Sequence, residues 1–412
     1  MTTATTVIIG GGHAGGEAAL ALRQGGYSGR ILLISDELSL PYQRPPLSKA
    51  FLTTEIEPEK LLIRAPANFT KAEVELVLGH RVSRIDRSAR TVHLDDGTEI
   101  HWSHLILATG SRARRLALPD PLAAEPANLF YLRSLADAQR LKASLEPGRR
   151  LLIIGGGFIG LEVASAAISL GLSVSVVEAQ DRLLARVTAP EVSAFYATLH
   201  RSRGVRILTG AHIERFELSD DGARLSGVTL TDGQHLEADL VLAGIGAVAQ
   251  TELAEQAGLE LDNGILVNEF CQSSDPDIYA IGDCSRHYSR IYDRRLRLES
   301  VPNAVDQART AAHSINGVAK PYEPVPWFWS DQYEIKLQMV GLSEGYDEIV
   351  MRGDPQQNSF VAFYFAAGRL IAADCVNRSS EFALVKRLVQ ARPSDEVASA
   401  LADPASNLKD LL

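Results

Sequence analysis

Two stretches of this sequence repeat one pattern, and the repetition limits the fold more than any other feature. Val7-Ile8-Ile9 leads into Gly10, Gly12 and Gly15, spaced Gly-x-Gly-x-x-Gly; Leu151-Leu152-Ile153-Ile154 leads into Gly155, Gly157 and Gly160 with the same spacing. The apolar runs predict buried strands, and Glu17–Arg23 and Glu162–Leu170 predict the helices that follow. The three glycines of each loop serve different ends. The first makes a tight turn, the second lets the backbone approach a pyrophosphate, and the third allows close helix–strand contact. The helix N-terminus then turns unpaired N–H groups and the positive end of its dipole toward phosphate. Further strands, Ile31–Ile34 and Ser173–Val177, end at Asp36 and Glu178, which stand 21 and 18 residues after the third glycine. A carboxylate about 20 residues on is the one expected to hold an adenosine ribose.

The duplication continues downstream. Val82–Ile100 alternates apolar and polar residues around an Asp96-Gly97 turn, and a second hairpin turns at Asp232-Gly233. Each is followed by a buried strand with a small-residue ending: Leu105-Ile106-Leu107 before Ala108-Thr109-Gly110, and Leu240-Val241-Leu242-Ala243 before Gly244-Ile245-Gly246. Such endings let the chain pass close to a bound cofactor, although any core strand can finish in a glycine turn. Nucleotide loop, acid, hairpin and small-residue strand, twice over, imply two dinucleotide sites, one for a resident redox group and one for a mobile cofactor.

Other segments carry two readings each. Leu40–Lys49 includes Arg44-Pro45-Pro46-Leu47-Ser48-Lys49; the prolines fix an extended backbone and Ser48 can cap a short helix. It is either a rigid linker or a wall of the cofactor pocket with Lys49 pointing at a flavin ring. The strand ending at Gly282 places Asp283 to accept a hydroxyl of a ribityl chain or to act as an N-cap; a helix is expected at Val301–Ala312. Leu116–Asn128 reads as a loop, followed by a helix at Leu135–Leu145. After Pro324-Val325-Pro326 the character changes to a small α+β domain, with strands at Ile335–Leu342 and Ser359–Phe365 and helices at Glu381–Gln390 and Ser394–Ala402. Its Trp329 lies either against a flavin or in a core.

Composition excludes several classes. At 412 residues, 46% hydrophobic and 22% charged, the chain is an ordinary globular protein of two to three domains. A net charge of −10 argues against general nucleic-acid affinity. The three cysteines, Cys271, Cys284 and Cys375, form no close pair, so neither a disulfide scaffold nor a Cys-x-x-Cys redox centre is expected. The ten histidines are scattered, with no set at metal-ligand spacing, and there is no Gly-x-Ser-x-Gly nucleophile turn. Without a signal peptide or an apolar run of about 20 residues, a cytoplasmic protein that meets no membrane is expected.

Taken together, these segments resemble the FAD-dependent ferredoxin (redoxin) reductases that serve bacterial haem monooxygenases and aromatic-ring dioxygenases. The similarity covers nearly the whole chain. It is most specific at Arg44–Lys49, Gly155–Glu162, Arg186-Val187-Thr188-Ala189-Pro190, Glu299-Ser300-Val301-Pro302-Asn303-Ala304 and Trp327-Phe328-Trp329-Ser330-Asp331-Gln332. It implies an α/β fold of the glutathione-reductase-like two-dinucleotide type. An FAD-binding domain would be discontinuous (1–112 and 247–323), an NADH-binding domain would occupy 113–246, and an α+β interface domain 324–412. FAD contacts carried over are Ala14, Asp36, Lys49, Val82, Arg133, Asp283 and Val301, joined by Gly10, Gly12, Gly15, Arg44, Pro45, Ala108, Thr109, Gly110, Gly282 and Trp329. The NADH side would use Gly155, Gly157, Ile159, Gly160, Glu178, Gly244, Ile245 and Gly246. Lys49 is expected near flavin N5, paired with Glu162, as the catalytic residues. Glu178 would select NADH over NADPH, opposed by Arg182 and Arg186.

The implied acceptor is a two-iron two-sulfur ferredoxin docked at Arg309, with Arg294, Arg295 and Arg297 as further candidates. Disulfide reductases carry a cysteine pair near the flavin; Leu40–Lys49 has no cysteine, which leaves a direct flavin-to-acceptor route. The alternatives are a rubredoxin or monodehydroascorbate reductase, or an NADH-sensing flavoprotein of the apoptosis-inducing-factor type.

Overall fold

The structure is a computed structural model that describes residues 4–118 and 125–412. The middle of the expected Leu116–Asn128 loop, and Met1–Thr3, lie outside the described residues. The chain divides into two compact units: Met1–Gln43 with Glu57–Arg112 and Val248–Pro326, and Arg44–Ile56 with Ala113–Ala247 and Trp327–Leu412.

The first unit is built on a five-stranded parallel sheet ordered Ile278–Ala280, His104–Leu107, Thr5–Ile9, Arg30–Ser35, Val74–Leu78. Its central strands are near-continuous apolar runs because both faces are covered: Val7, Ile8, Ile31, Leu33, Leu105 and Ile106 are fully buried. Helix His13–Gln24 packs against helix Val301–Ile315 on one face. The expected hairpin is a three-stranded meander, Val82–Asp86, Thr91–Leu94 and Glu99–His101, turning at Gly97.

The second unit repeats the design. Its parallel sheet runs Arg206–Thr209, Ser173–Glu178, Arg150–Ile154, Leu240–Ala243, Leu129–Phe130, with helix Phe158–Ser169 after the glycine loop and a meander over Ile213–Glu237. It also holds a five-stranded antiparallel sheet ordered Trp327–Gln332, Ile335–Gly341, Arg369–Val376, Ser359–Ala366, Glu348–Asp354, packed against helix Ser379–Ala391.

Both glycine-loop helices begin earlier than the apolar pattern predicts, at His13 and Phe158, because the third glycine of each loop sits inside the helix rather than before it. Strands Glu348–Asp354 and Arg369–Val376 had no expectation. Arg369–Val376 contains Ala372-Ala373-Asp374, residues of weak strand preference, yet every residue after Arg369 is buried. The expected helix at 394–402 is a short 3-10 turn, Asp395–Val397, followed by a helix at Ala398–Ala402.

Candidate functional site

The two cradles match atom for atom where the fold needs glycine. Gly10 has φ +119° and Gly155 φ +107°; a Cβ on either would lie 2.2 Å from the carbonyl oxygen of Ala108 or 2.4 Å from that of Gly244. A Cβ on Gly15 would lie 1.9 Å from Gly10 O, and one on Gly160 2.4 Å from Gly155 O. The middle glycines differ in kind. A Cβ on Gly12 or Gly157 would meet nothing within 4 Å. Both are extended helix N-caps with no side-chain cap bond, and neither helix has an acidic residue in its first turn. The protein therefore leaves open space in front of first-turn N–H groups that lack helical acceptors, which suits a pyrophosphate.

The acids are less alike than their spacing suggests. Ile9 pairs with Ile34, and Ile154 with Val177. Ser35 thus holds the place of Glu178, and Asp36 comes one residue later. Glu178 accepts the Gly156 N–H through Oε2 at 2.6 Å and the Gln180 N–H through Oε1 at 2.7 Å. Asp36 is half exposed and lies 3.3 Å from Arg81. Arg182 spends its guanidinium on the loop carbonyls of Thr188 and Ala185, each at 2.8 Å. Arg186 remains within 4.0 Å of the Cβ position on Gly246.

In the first unit, the Ala108-Thr109-Gly110 turn is closed by a residue the sequence did not flag. Gln250 donates to Thr109 O at 2.7 Å, accepts from the Thr109 hydroxyl on its own carbonyl at 2.6 Å, and donates its N–H to Gly110 O at 3.0 Å. Asp283 accepts from the Ser111 hydroxyl at 2.8 Å and sits inside the 3-10 turn Gly282–Cys284, not at its N-cap. Ala14 is buried at the start of helix His13–Gln24, 3.1 Å from a Cβ built on Gly282. Val82 is buried, and Val301 opens a helix capped by the Ser300 hydroxyl. Arg297 is a correction. Its side chain is only 13% exposed, and its Nη1 reaches Glu299 at 2.6 Å and Asp283 O at 3.2 Å, so it is turned inward and offers a docking partner little surface.

In the second unit the Arg44–Lys49 segment meets the second glycine-loop helix. Lys49 Nζ lies 2.8 Å from Glu162 Oε2, with the Glu162 side chain 3% exposed. Lys49 also donates to Pro45 O at 3.2 Å, and Arg44 to Arg133 O at 2.8 Å. Ser48 caps no helix: its hydroxyl donates to Glu162 Oε2. A hydroxyl from the last sheet, Ser330, donates to Glu162 Oε1 at 2.6 Å. Its place after the glycine loop singles out Glu162. Ser330 stands 168 residues away, and no local spacing could have joined the two.

Trp329 does not reach Glu162. Phe328 stacks on Phe158 at 4.9 Å and Ser330 bonds Glu162, so strand alternation turns Trp327 and Trp329 to the other face, where Trp327 meets Phe382. Trp329 is partly exposed rather than a core anchor. Ile159 is 45% exposed beside Gly157, and Ile245 is partly exposed between Gly244 and Gly246.

All three cysteines are buried and in no disulfide, and burial pushes their thiols up from the ordinary range. Among the described residues one group, His80 with Asp95 and Asp96, has ligand atoms within 4.8 Å of one another at an exposed turn. No helix among the described residues is long and apolar enough to cross a membrane.

Two parallel-sheet cradles with open middle glycines, and a buried Glu162 on the second helix paired with Lys49, define a two-dinucleotide oxidoreductase. The chain belongs to the pyridine nucleotide-disulphide oxidoreductase family, matched over residues 4–308, and residues 327–412 match the reductase C-terminal family. It is an enzyme of that FAD- and NADH-dependent kind. It is 45% identical to putidaredoxin reductase of Pseudomonas putida over 406 residues, 98% of this chain and 96% of that one. It is 44% identical to the 5,5'-dehydrodivanillate O-demethylase ferredoxin reductase subunit of a Sphingobium strain, covering 98% and 97%. The crystal structure of the covalent putidaredoxin reductase–putidaredoxin complex matches with a TM-score of 0.95 at 44% identity, over 100% of this chain and 98% of that one.

Proposed function

We propose that this protein takes hydride from NADH and passes the electrons singly to a two-iron two-sulfur ferredoxin, which feeds a haem monooxygenase or a ring-hydroxylating dioxygenase. The observation that carries this reading is the pairing of Lys49 with the buried Glu162, which lies on the helix that follows the open Gly157 loop. Bound FAD supplies the conversion from a two-electron donor to a one-electron source.

The chain's own groups do the rest. N–H groups at Gly12 and Gly157 receive pyrophosphates. Asp283 would accept a hydroxyl of the flavin side chain. Lys49, held by Glu162, places a positive charge for the electron-rich reduced ring. Glu178 accepts ribose hydroxyls and repels a 2′-phosphate; at about 4 Å and an effective dielectric near 20, like charges cost roughly 4 kcal/mol before screening. With Arg182 committed to loop carbonyls, only Arg186 is left to oppose that preference. No cysteine stands in Leu40–Lys49, and the three elsewhere are buried, which favours direct transfer from the flavin.

For docking we assign Arg309, 56% exposed on helix Val301–Ile315, with Arg294 and Arg295 on strand Arg294–Leu296 of the same unit. We place the enzyme in the cytoplasm, where NADH is available. The test is NADH-driven reduction of a panel of purified ferredoxins by the flavin-loaded protein. Fast reduction of a two-iron member is expected; failure with every member, or a clear preference for rubredoxin, overturns the reading.

A further inference from the structure

Glu162 is held from both sides, and only one side belongs to the ion pair. Oε2 takes Lys49 and Ser48. Oε1 takes the Ser330 hydroxyl, and behind Ser330 the bonds continue. Gln332 Nε2 lies 3.2 Å from Ser330 Oγ, His200 Nε2 lies 2.8 Å from Gln332 Oε1, and Tyr333 Oη lies 3.1 Å from His200 Nδ1. Ser330, Gln332 and His200 are fully buried. All of these residues lie in the second unit.

The donors can be assigned one at a time. An ionised carboxylate only accepts, so Ser330 gives it the hydroxyl proton. The Ser330 oxygen then accepts from the Gln332 amide nitrogen, which leaves the amide oxygen facing His200. His200 must therefore carry its proton on Nε2, and its bare Nδ1 accepts from the Tyr333 hydroxyl. Burial pushes the His200 pKa down, which favours this neutral form. Every donor points the same way, toward Glu162, and bonds in such a chain polarise one another. An amide in the middle cannot pass a proton along, so the chain serves to orient.

We propose that Ser330, Gln332 and His200 are positioning residues for the Lys49–Glu162 pair, fixing which carboxylate oxygen faces Lys49 and so setting the rate at which NADH reduces the flavin. The inference rests on the role given above to Lys49 and Glu162.

Two measurements on the holoenzyme test it. Nitrogen NMR of histidine-labelled enzyme, with His200→Phe for assignment, should find His200 neutral and protonated at Nε2 from pH 6 to 8. An Nδ1-protonated or charged ring overturns the proposal, and if H200F does not fold, assignment by His200→Gln replaces it. In stopped-flow reduction at saturating NADH, Ser330→Ala should be slowed about tenfold, the worth of one hydrogen bond to a charged acceptor, with NADH affinity little changed. Ser330→Thr should recover most of the rate. H200F should slow the step by a smaller factor, and the double variant should be no slower than S330A, because the two substitutions break one chain. Wild-type rates in S330A and H200F while Glu162→Gln is slow overturn this inference and leave the Glu162 assignment standing. A wild-type rate in E162Q removes both.

Discussion

In the proposed function, Lys49 is the residue on which most of the chemistry turns. Its ammonium answers a carboxylate that is almost wholly buried, and removing one member of such a pair leaves a charge in a poorly solvated place. Lys49→Met should therefore slow reduction of the bound flavin by NADH at least about tenfold and cost about 3 kcal/mol of stability. Stopped-flow absorbance and denaturant unfolding of the same preparation check the two effects; unchanged flavin reduction removes Lys49 from the mechanism. Both members of this pair were legible as single residues, Lys49 from its proline-fixed segment and Glu162 from its place after the glycine loop. The hydroxyls that complete the setting were not. Ser48 has the look of a helix cap, and Ser330, His200 and Gln250 belong to no recognisable spacing, because hydrogen bonds across a fold leave no periodic trace in the sequence.

Among elements, the cradles separate what the fold requires from what a ligand requires. Gly160→Ala would force a Cβ to within 2.4 Å of Gly155 O and should lower the unfolding midpoint whether or not NADH is present. Gly157→Ala meets no protein atom within 4 Å. It should leave the midpoint nearly unchanged while raising the KM for NADH about tenfold or more, since the methyl group occupies space in front of the helix N-terminus. Equal losses of stability in the two variants would contradict this division of labour. The duplicated strands, loops and helices were readable because buried parallel strands are unbroken apolar runs and glycine loops have fixed spacing. Three of the five strands in the last sheet were not. Trp327–Gln332 carries no strand expectation, and Glu348–Asp354 and Arg369–Val376 mix alanine, glycine and charge in ways that only their neighbours in the sheet explain.

For the molecule as a whole, charge and pH act through few groups. The chain carries a net charge of −10, so an acidic ferredoxin must find a local basic surface. Arg309→Glu should lower kcat/KM for the ferredoxin, most strongly at low salt, while reduction of the flavin by NADH stays as it was; steady-state assays across ionic strength decide this. Asp374, fully buried, accepts a bond from the Tyr364 hydroxyl at 2.6 Å, yet burial outweighs that bond and raises its carboxyl from 3.8 to about 7. The folded chain thus holds this proton more tightly than the unfolded one. Its contribution to stability is present below about pH 4 and is lost as pH rises toward 7, with an upper bound of about 4 kcal/mol. Between pH 5 and pH 8 the loss should be about 2–3 kcal/mol, and Asp374→Asn should flatten that part of the profile in denaturant titrations. Finally, the bond from the Gly156 amide to Glu178 bears on any attempt to retool the enzyme for the phosphorylated coenzyme. The carboxylate proposed to exclude that phosphate also accepts a bond from the loop's own backbone. Exchanging it alone trades away loop order along with selectivity, so a successful swap must first give that amide another acceptor.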